Sequence, residues 1–78
     1  MRIAQIILNH KSAMVDKPFS YEIGDDLSSN IMVGMRVVVP FGIHNTPTKG
    51  IVIHIDDMVD EFSFKVKKII QVLDDKPI

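Results

Sequence analysis

The side chains that most often catalyse reactions or bind metals are sparse in this sequence and wrongly spaced for a catalytic site. There is no cysteine, which excludes a thiolate nucleophile, a thiolate metal site and a disulfide. The histidines have none of the short spacings typical of a metal site: His10, His44 and His54. The four glycines lie eight to ten residues apart, too far for a phosphate-binding loop or a dinucleotide-binding motif. The sequence therefore predicts a binding domain with no catalytic site.

Two aromatic residues in the segment Pro18-Phe-Ser-Tyr21 have a spacing that suits binding. Phe19 and Tyr21 flank Ser20, so in an extended strand the two rings project from one face and the hydroxyl from the other. Exposed aromatic rings stack on nucleic-acid bases with little regard to base identity. The same rings in a core would only stabilise the fold, and the residues alone leave both interpretations open.

A second segment, Val39-Pro-Phe-Gly42, ends an apolar run on an aromatic residue and a glycine. Glycine has no side chain, so Gly42 would let a ligand approach the backbone closely. An ordinary exit from a strand into a turn is the alternative interpretation.

The elements that must position these residues are predicted to be β-strands. Isoleucine and valine account for 21 of the 78 residues, whereas alanine and leucine together account for 5. Their β-branched side chains favour sheets over helices. Apolar or alternating runs separated by turn-forming residues predict five strands, over 2–8, 19–23, 35–41, 48–55 and 65–73. We therefore expect an all-β fold, a small curled sheet or barrel, because closure protects strand edges.

Length and charge limit the class of protein. The chain suffices for one domain, predicted over 1–74, with 75–78 as the start of a linker. The formal net charge of −1 argues against a broad basic surface that follows a nucleic-acid backbone, but it permits a local pocket for a strand end. There is neither an apolar run of membrane-spanning length nor a secretion signal, so we expect a cytoplasmic protein without membrane contact.

Four segments, in this order, resemble the N-terminal domain of the PriA family (primosomal protein N-prime), bacterial replication-restart DNA helicases. The segments are Ile3-Ala-Gln-Ile-Ile7, Lys17-Pro-Phe-Ser-Tyr21, Gly34-Met-Arg-Val-Val-Val-Pro-Phe-Gly42, and Lys67-Lys-Ile-Ile-Gln-Val-Leu-Asp74 followed by Lys76-Pro77. The third segment is fairly specific, and the others gain weight from their order and their spread over nearly the whole chain.

The resemblance implies binding of the 3′ end of the nascent leading strand at stalled or abandoned replication forks. Carried over to this chain, it implies that Phe19 and Tyr21 form the walls around the terminal base and sugar. It also implies that Gly42 permits close backbone approach, and that Lys67 supplies a cation near the terminal phosphate.

Ser20 departs from the family pattern, because the family commonly has an aspartate there that accepts a hydrogen bond from the terminal 3′ hydroxyl. Charge-assisted hydrogen bonds are roughly twice as strong as neutral ones. The departure therefore predicts either a weaker preference for a free 3′ hydroxyl or a neighbouring group that accepts this hydrogen bond instead.

For the full-length protein, the resemblance implies an ATP-dependent 3′–5′ DNA helicase with zinc. Both the ATP and the zinc sites would lie in later domains, so this fragment is expected to need no cofactor and to be no enzyme. The implied partners are single-stranded DNA 3′ ends, forked DNA, and other primosome and single-strand-binding proteins. Two alternatives stay open: a small barrel that docks a protein through Phe19, Tyr21 and Phe41, and a purely structural lobe in which Lys67 tolerates substitution.

Overall fold

The computed structural model describes residues 2–10, 13–14, 17–27, 31–57 and 66–76, and its regular elements are β-strands. There are six of them: β1 (Ile3–His10), β2 (Ala13–Met14), β3 (Phe19–Glu22), β4 (Arg36–Phe41), β5 (Thr46–Asp56) and β6 (Gln71–Val72). No helix long and apolar enough to cross a membrane occurs within these ranges. The all-β prediction is confirmed.

The strands form one sheet with β5 at its centre, in the order β2-β1-β5-β4-β6, and β3 also pairs with β1. The free edge of β3 approaches the segment that precedes β6 at an isolated parallel bridge between Glu22 and Lys68. There the Glu22 N–H donates to the Lys67 carbonyl (2.8 Å), and the Ile69 N–H donates to the Glu22 carbonyl (3.1 Å). The sheet is thus strongly curled, but in the part of the chain that is described it does not close into a full barrel.

The concave side of this curled sheet holds the core. Buried residues that form one cluster are Ala4, Ile6, Leu8, Tyr21, Ile23, Ile31, Val37, Val39, Val52 and Ile69. A register shift in the β1–β5 pairing places Gln5 opposite His54 and Ile6 opposite Val52. Ile53 is therefore an extra residue in β5 with no paired residue in β1, and it is half exposed. An inserted residue reverses which face alternate side chains occupy, and this explains why Ile55 then packs against the core.

The predicted strand over 65–73 is wrong in extent. Residues 71–72 alone form a regular strand there, and residue 65 lies outside the described ranges. The segment changes partners within two residues, because the Ile69 N–H donates to Glu22 of β3, whereas the Ile70 N–H donates to the Val38 carbonyl of β4 (2.8 Å). A segment shared between two strands does not build a long ladder with either.

The predicted loops differ from the structure in smaller ways. The loop expected over 42–47 ends at residue 45, because β5 begins at Thr46. The loop expected over 9–17 contains β2, which pairs with the end of β1. Parts of the other predicted turns (28–30 and 58–64) and of the predicted linker (77–78) lie outside the described residues. Gly34, in the turn directly before β4, has a φ of 96°, a conformation that glycine adopts without strain.

One ion pair ties the segment after β6 to the start of β4. Arg36 donates to Asp74 from Nη2 (2.8 Å), and its backbone N–H donates to Asp74 Oδ2 (2.8 Å). These hydrogen bonds from Arg36, first from its side chain and then from its backbone, lower the pKa of Asp74 below its ordinary value of 3.8. The charged carboxylate is therefore favoured by the folded state.

We expect the Asp74→Asn variant to lose part of the acid sensitivity of the fold. Because the native pKa of Asp74 lies below its unfolded value, its contribution to stability is present above the ordinary aspartate range. That contribution disappears as the pH falls from this range through the lowered native pKa. Thermal unfolding followed by circular dichroism over a series of acidic pH values measures it. Asp75→Asn is the matched control and should retain the wild-type slope; equal slopes in wild type and Asp74→Asn would contradict the prediction.

Candidate nucleic-acid interface

A cleft of about 330 Å³ lies where β3, the end of β4 and residues 66–67 meet. Its lining consists of Phe19, Ser20, Tyr21, Phe41, Gly42, Val66 and Lys67. The five site residues predicted from the sequence are therefore all brought together, although they come from three separate parts of the chain. Gly42 and Lys67 are 25 positions apart, yet their atoms are in contact.

Phe19 presents the aromatic surface of the cleft. It is the first residue of β3, opposite Ile6 of β1, and its side chain is on the same face as that of Tyr21. Because it stands at the end of the strand, it is still 37% exposed. Its ring meets the ring of Phe41 edge to face, with the centroids 5.4 Å apart at 80°. This contact holds the Phe19 ring in one orientation and leaves surface free for a base.

Tyr21 lies largely in the core, which is one of the two interpretations that its spacing leaves open. Its residue is only 4% exposed, and its ring belongs mainly to the core cluster. Its hydroxyl donates to the Pro40 carbonyl (3.0 Å), which joins β3 to β4. Burial raises the pKa of Tyr21, so the hydroxyl stays protonated as this donor. Tyr21 therefore shapes the cleft and fixes its two strands, while the accessible aromatic surface is that of Phe19.

Ser20 is held by its neighbour across the strand pair. Gln5 of β1 lies opposite Ser20, and its Nε2 donates to the Ser20 Oγ (2.9 Å). A hydroxyl has two acceptor positions and one donor. Gln5 uses one acceptor position, so one acceptor position and the hydroxyl proton are left for a ligand.

Gly42 and Lys67 face each other across the cleft. The Lys67 amine donates to the Gly42 carbonyl (2.7 Å). Lys67 is anchored through its main chain, because its carbonyl accepts from the Glu22 N–H in the bridge to β3. Gly42 has a φ of 78°, and a Cβ built on it would meet no atom within 4 Å. Its conformation favours glycine, and the space beside it is open to a ligand.

Sequence reasoning did not assign two of the lining residues to this site. Phe41 belongs to the candidate segment over 39–42, but the only role that the sequence gives its ring is in a protein-docking patch. Nothing in the sequence indicates that Val66 lines the cleft, because its place there depends on where the segment before β6 meets β3. Among the residues that line the cleft, Lys67 is the one charged side chain. Elsewhere in the described ranges, no three His, Asp or Glu side chains come together as a metal site.

Comparison with known proteins decides the family. Residues 5–78 match the family model for the 3′DNA-binding domain (3′BD) of PriA. The chain belongs to this family. It is also 35% identical, over all 78 residues, to the replication restart protein PriA of Bacillus subtilis (strain 168). The chain spans 9% of the length of that relative. The resemblance inferred from the four segments is confirmed.

The cleft offers three kinds of surface to a ligand. These are the ring of Phe19, an exposed backbone segment with no side chain at Gly42, and the Lys67 amine, whose main chain is anchored to β3. These groups suit a base, a sugar and a phosphate respectively.

Proposed function

We propose that this domain binds the 3′ end of a DNA strand in the cleft, with the terminal base against Phe19 and the adjacent phosphate near Lys67. The convergence of Phe19, Gly42 and Lys67 on one cleft carries this proposal. Its support is the membership of a family described as 3′ DNA-binding.

The size and charge of the cleft favour a strand end over a length of strand. Its volume of about 330 Å³ lies near the lower limit of small-ligand pockets, about 300–1,000 Å³. The chain has a formal net charge of −1. A protein that follows a nucleic-acid backbone needs several cations, whereas a single terminal nucleotide needs one.

In the full-length protein we propose that residues 1–74 form the N-terminal DNA-recognition module of a cytoplasmic replication-restart helicase, with a linker from residue 75. The strand bound would be the nascent leading strand at a stalled or abandoned fork. ATP and zinc would be bound by other domains, and primosome and single-strand-binding proteins would be the partners. The printed name of the relative, a replication restart protein, supports this assignment.

We expect Lys67→Ala to weaken binding of single-stranded DNA by about 1 kcal/mol, since the amine gives up its hydrogen bond to Gly42 when it contacts a phosphate. One lost phosphate contact should also reduce the slope of log K against log salt by about 0.7. Fluorescence anisotropy with short 5′-labelled strands measures both effects. Lys68→Ala is the matched control, because Lys68 is the next residue in the chain, is exposed and does not line the cleft. Equal losses in the two variants would contradict the role of Lys67.

The free 3′ end is tested with strands that carry either a 3′ hydroxyl or a 3′ phosphate. We expect wild type to prefer the free end weakly and Ser20→Asp to sharpen that preference, because a carboxylate accepts a stronger hydrogen bond from the hydroxyl. If the ratio of the affinities for the two strands is the same in Ser20→Asp as in wild type, Ser20 does not contact the 3′ end. If wild type binds neither strand, the cleft is not a DNA site, and the result favours the protein-docking interpretation.

A further inference from the structure

The turn between β4 and β5 carries an exposed apolar residue beside the cleft. It consists of residues 42–45, and Ile43 at its tip is 91% exposed. A side chain so exposed contributes almost nothing to the core. Its apolar character therefore has no explanation in the packing of this domain.

Hydrogen bonds fix the backbone of this turn relative to the cleft. The Asn45 N–H donates to the Gly42 carbonyl (3.1 Å), and Phe41 pairs with Thr46 directly below the turn. Gly42 and Asn45 both have a positive φ, of 78° and 52°. The Gly42 carbonyl also accepts from Lys67. The tip is thereby connected to two sides of the cleft.

A strand bound in the proposed way would pass close to this tip. The phosphate that joins the terminal nucleotide to the one before it would lie near the Lys67 amine, which is 2.7 Å from the Gly42 carbonyl. The preceding nucleotide is therefore attached beside Gly42. Ile43 is the next residue, about 3.8 Å from Gly42 between Cα atoms, so its exposed side chain lies within reach of that nucleotide. Apolar side chains at such positions pack on bases or between them.

We propose that Ile43 packs against the base of the nucleotide that precedes the 3′-terminal one, an inference that rests on the proposed 3′-end binding. The cleft takes the last nucleotide, and the turn supports the next. The contact is apolar and has no hydrogen-bonding groups, so it accepts any base. The domain then recognises two successive nucleotides with a single cation.

The experiment compares two 5′-labelled strands with free 3′ hydroxyls, one intact and one with an abasic site in place of the penultimate base. Anisotropy gives the affinity of each strand for wild type, Ile43→Ser and Ile43→Leu. We expect Ile43→Ser to bind the intact strand about fivefold more weakly than wild type does. Wild type should lose a similar factor on the abasic strand, Ile43→Ser should lose nothing further there, and Ile43→Leu should behave as wild type.

Val33→Ser is the matched control, because Val33 is half exposed in another turn and does not line the cleft. It should bind both strands as wild type does, and thermal unfolding should show that both serine variants are folded. If Ile43→Ser binds the intact strand as tightly as wild type, or if the abasic site weakens Ile43→Ser as much as wild type, the contact with the penultimate base does not exist. If wild type binds neither strand, the failure lies in the proposed function.

Discussion

Replacing Phe19 with alanine is expected to lower the affinity for a single-stranded DNA 3′ end by about 1–3 kcal/mol, the contribution of one base stacked on an aromatic ring. Phe19 is the aromatic side chain of the cleft with appreciable exposure, since Tyr21 is only 4% exposed. The Phe41 ring meets Phe19 edge to face and orients it. This loss is expected to exceed those of Lys67→Ala and Ile43→Ser. Anisotropy titration with a short 5′-labelled strand measures the loss.

Two controls separate stacking from a change in the fold. Phe19→Tyr keeps an aromatic face and should bind within a small factor of wild type. The thermal unfolding of Phe19→Ala should show a folded domain, because the ring is partly solvated before the substitution. A folded Phe19→Ala variant that binds the strand like wild type would show that the base does not rest on this ring.

Replacing Gly50 with alanine is expected to destabilise the fold by about 1–3 kcal/mol through overpacking. Gly50 is buried in β5, opposite Leu8 of β1 and Val37 of β4. A Cβ there would come within 2.6 Å of Ile6 Cγ2 and 2.9 Å of the Ile7 carbonyl oxygen. The carbonyl belongs to the backbone of the paired strand, so the clash is relieved only if β1 and β5 move apart. A domain of this size has little stability to lose.

Gly24→Ala is the matched control for this substitution. A Cβ on Gly24 would approach the Asp26 Oδ1 to 2.8 Å, but that atom ends a flexible exposed side chain. We expect a small change in melting temperature for Gly24→Ala and a fall of several degrees for Gly50→Ala, at about 4–8 °C per kcal/mol in a small domain. Similar melting temperatures for wild type and Gly50→Ala would mean that the β1–β5 spacing adjusts without cost.

The strands of the centre of the sheet were predictable because their signals are local. β-branched runs indicate β1, β4 and β5, and the alternation of Phe19, Ser20 and Tyr21 indicates β3. Gly34 before β4 indicates a turn that needs a positive φ. These features depend on neighbouring residues only, and they appear in the structure with boundaries shifted by a few positions.

The different environments of Phe19 and Tyr21 were not predictable from their alternation. Both side chains lie on one face of β3, yet Tyr21 is buried and Phe19 is 37% exposed. The difference comes from what covers each position. Tyr21 lies over the core and reaches Pro40 of β4, whereas Phe19 stands at the end of the strand beside the cleft. Coverage by distant segments has no signature in a pattern of alternating residues.

The sequence by itself determined which residue types were available for binding, the all-β class and, through its resemblance to known proteins, the five residues of the candidate site. Only the tertiary structure decided that residues 67–70 pass from β3 to β4, and that this passage brings the Lys67 amine to the Gly42 carbonyl. The physical reason is the range of the interactions. Strand propensity and turn chemistry act over a few residues, whereas a cleft forms where segments far apart in the chain compete for the same hydrogen-bonding partners.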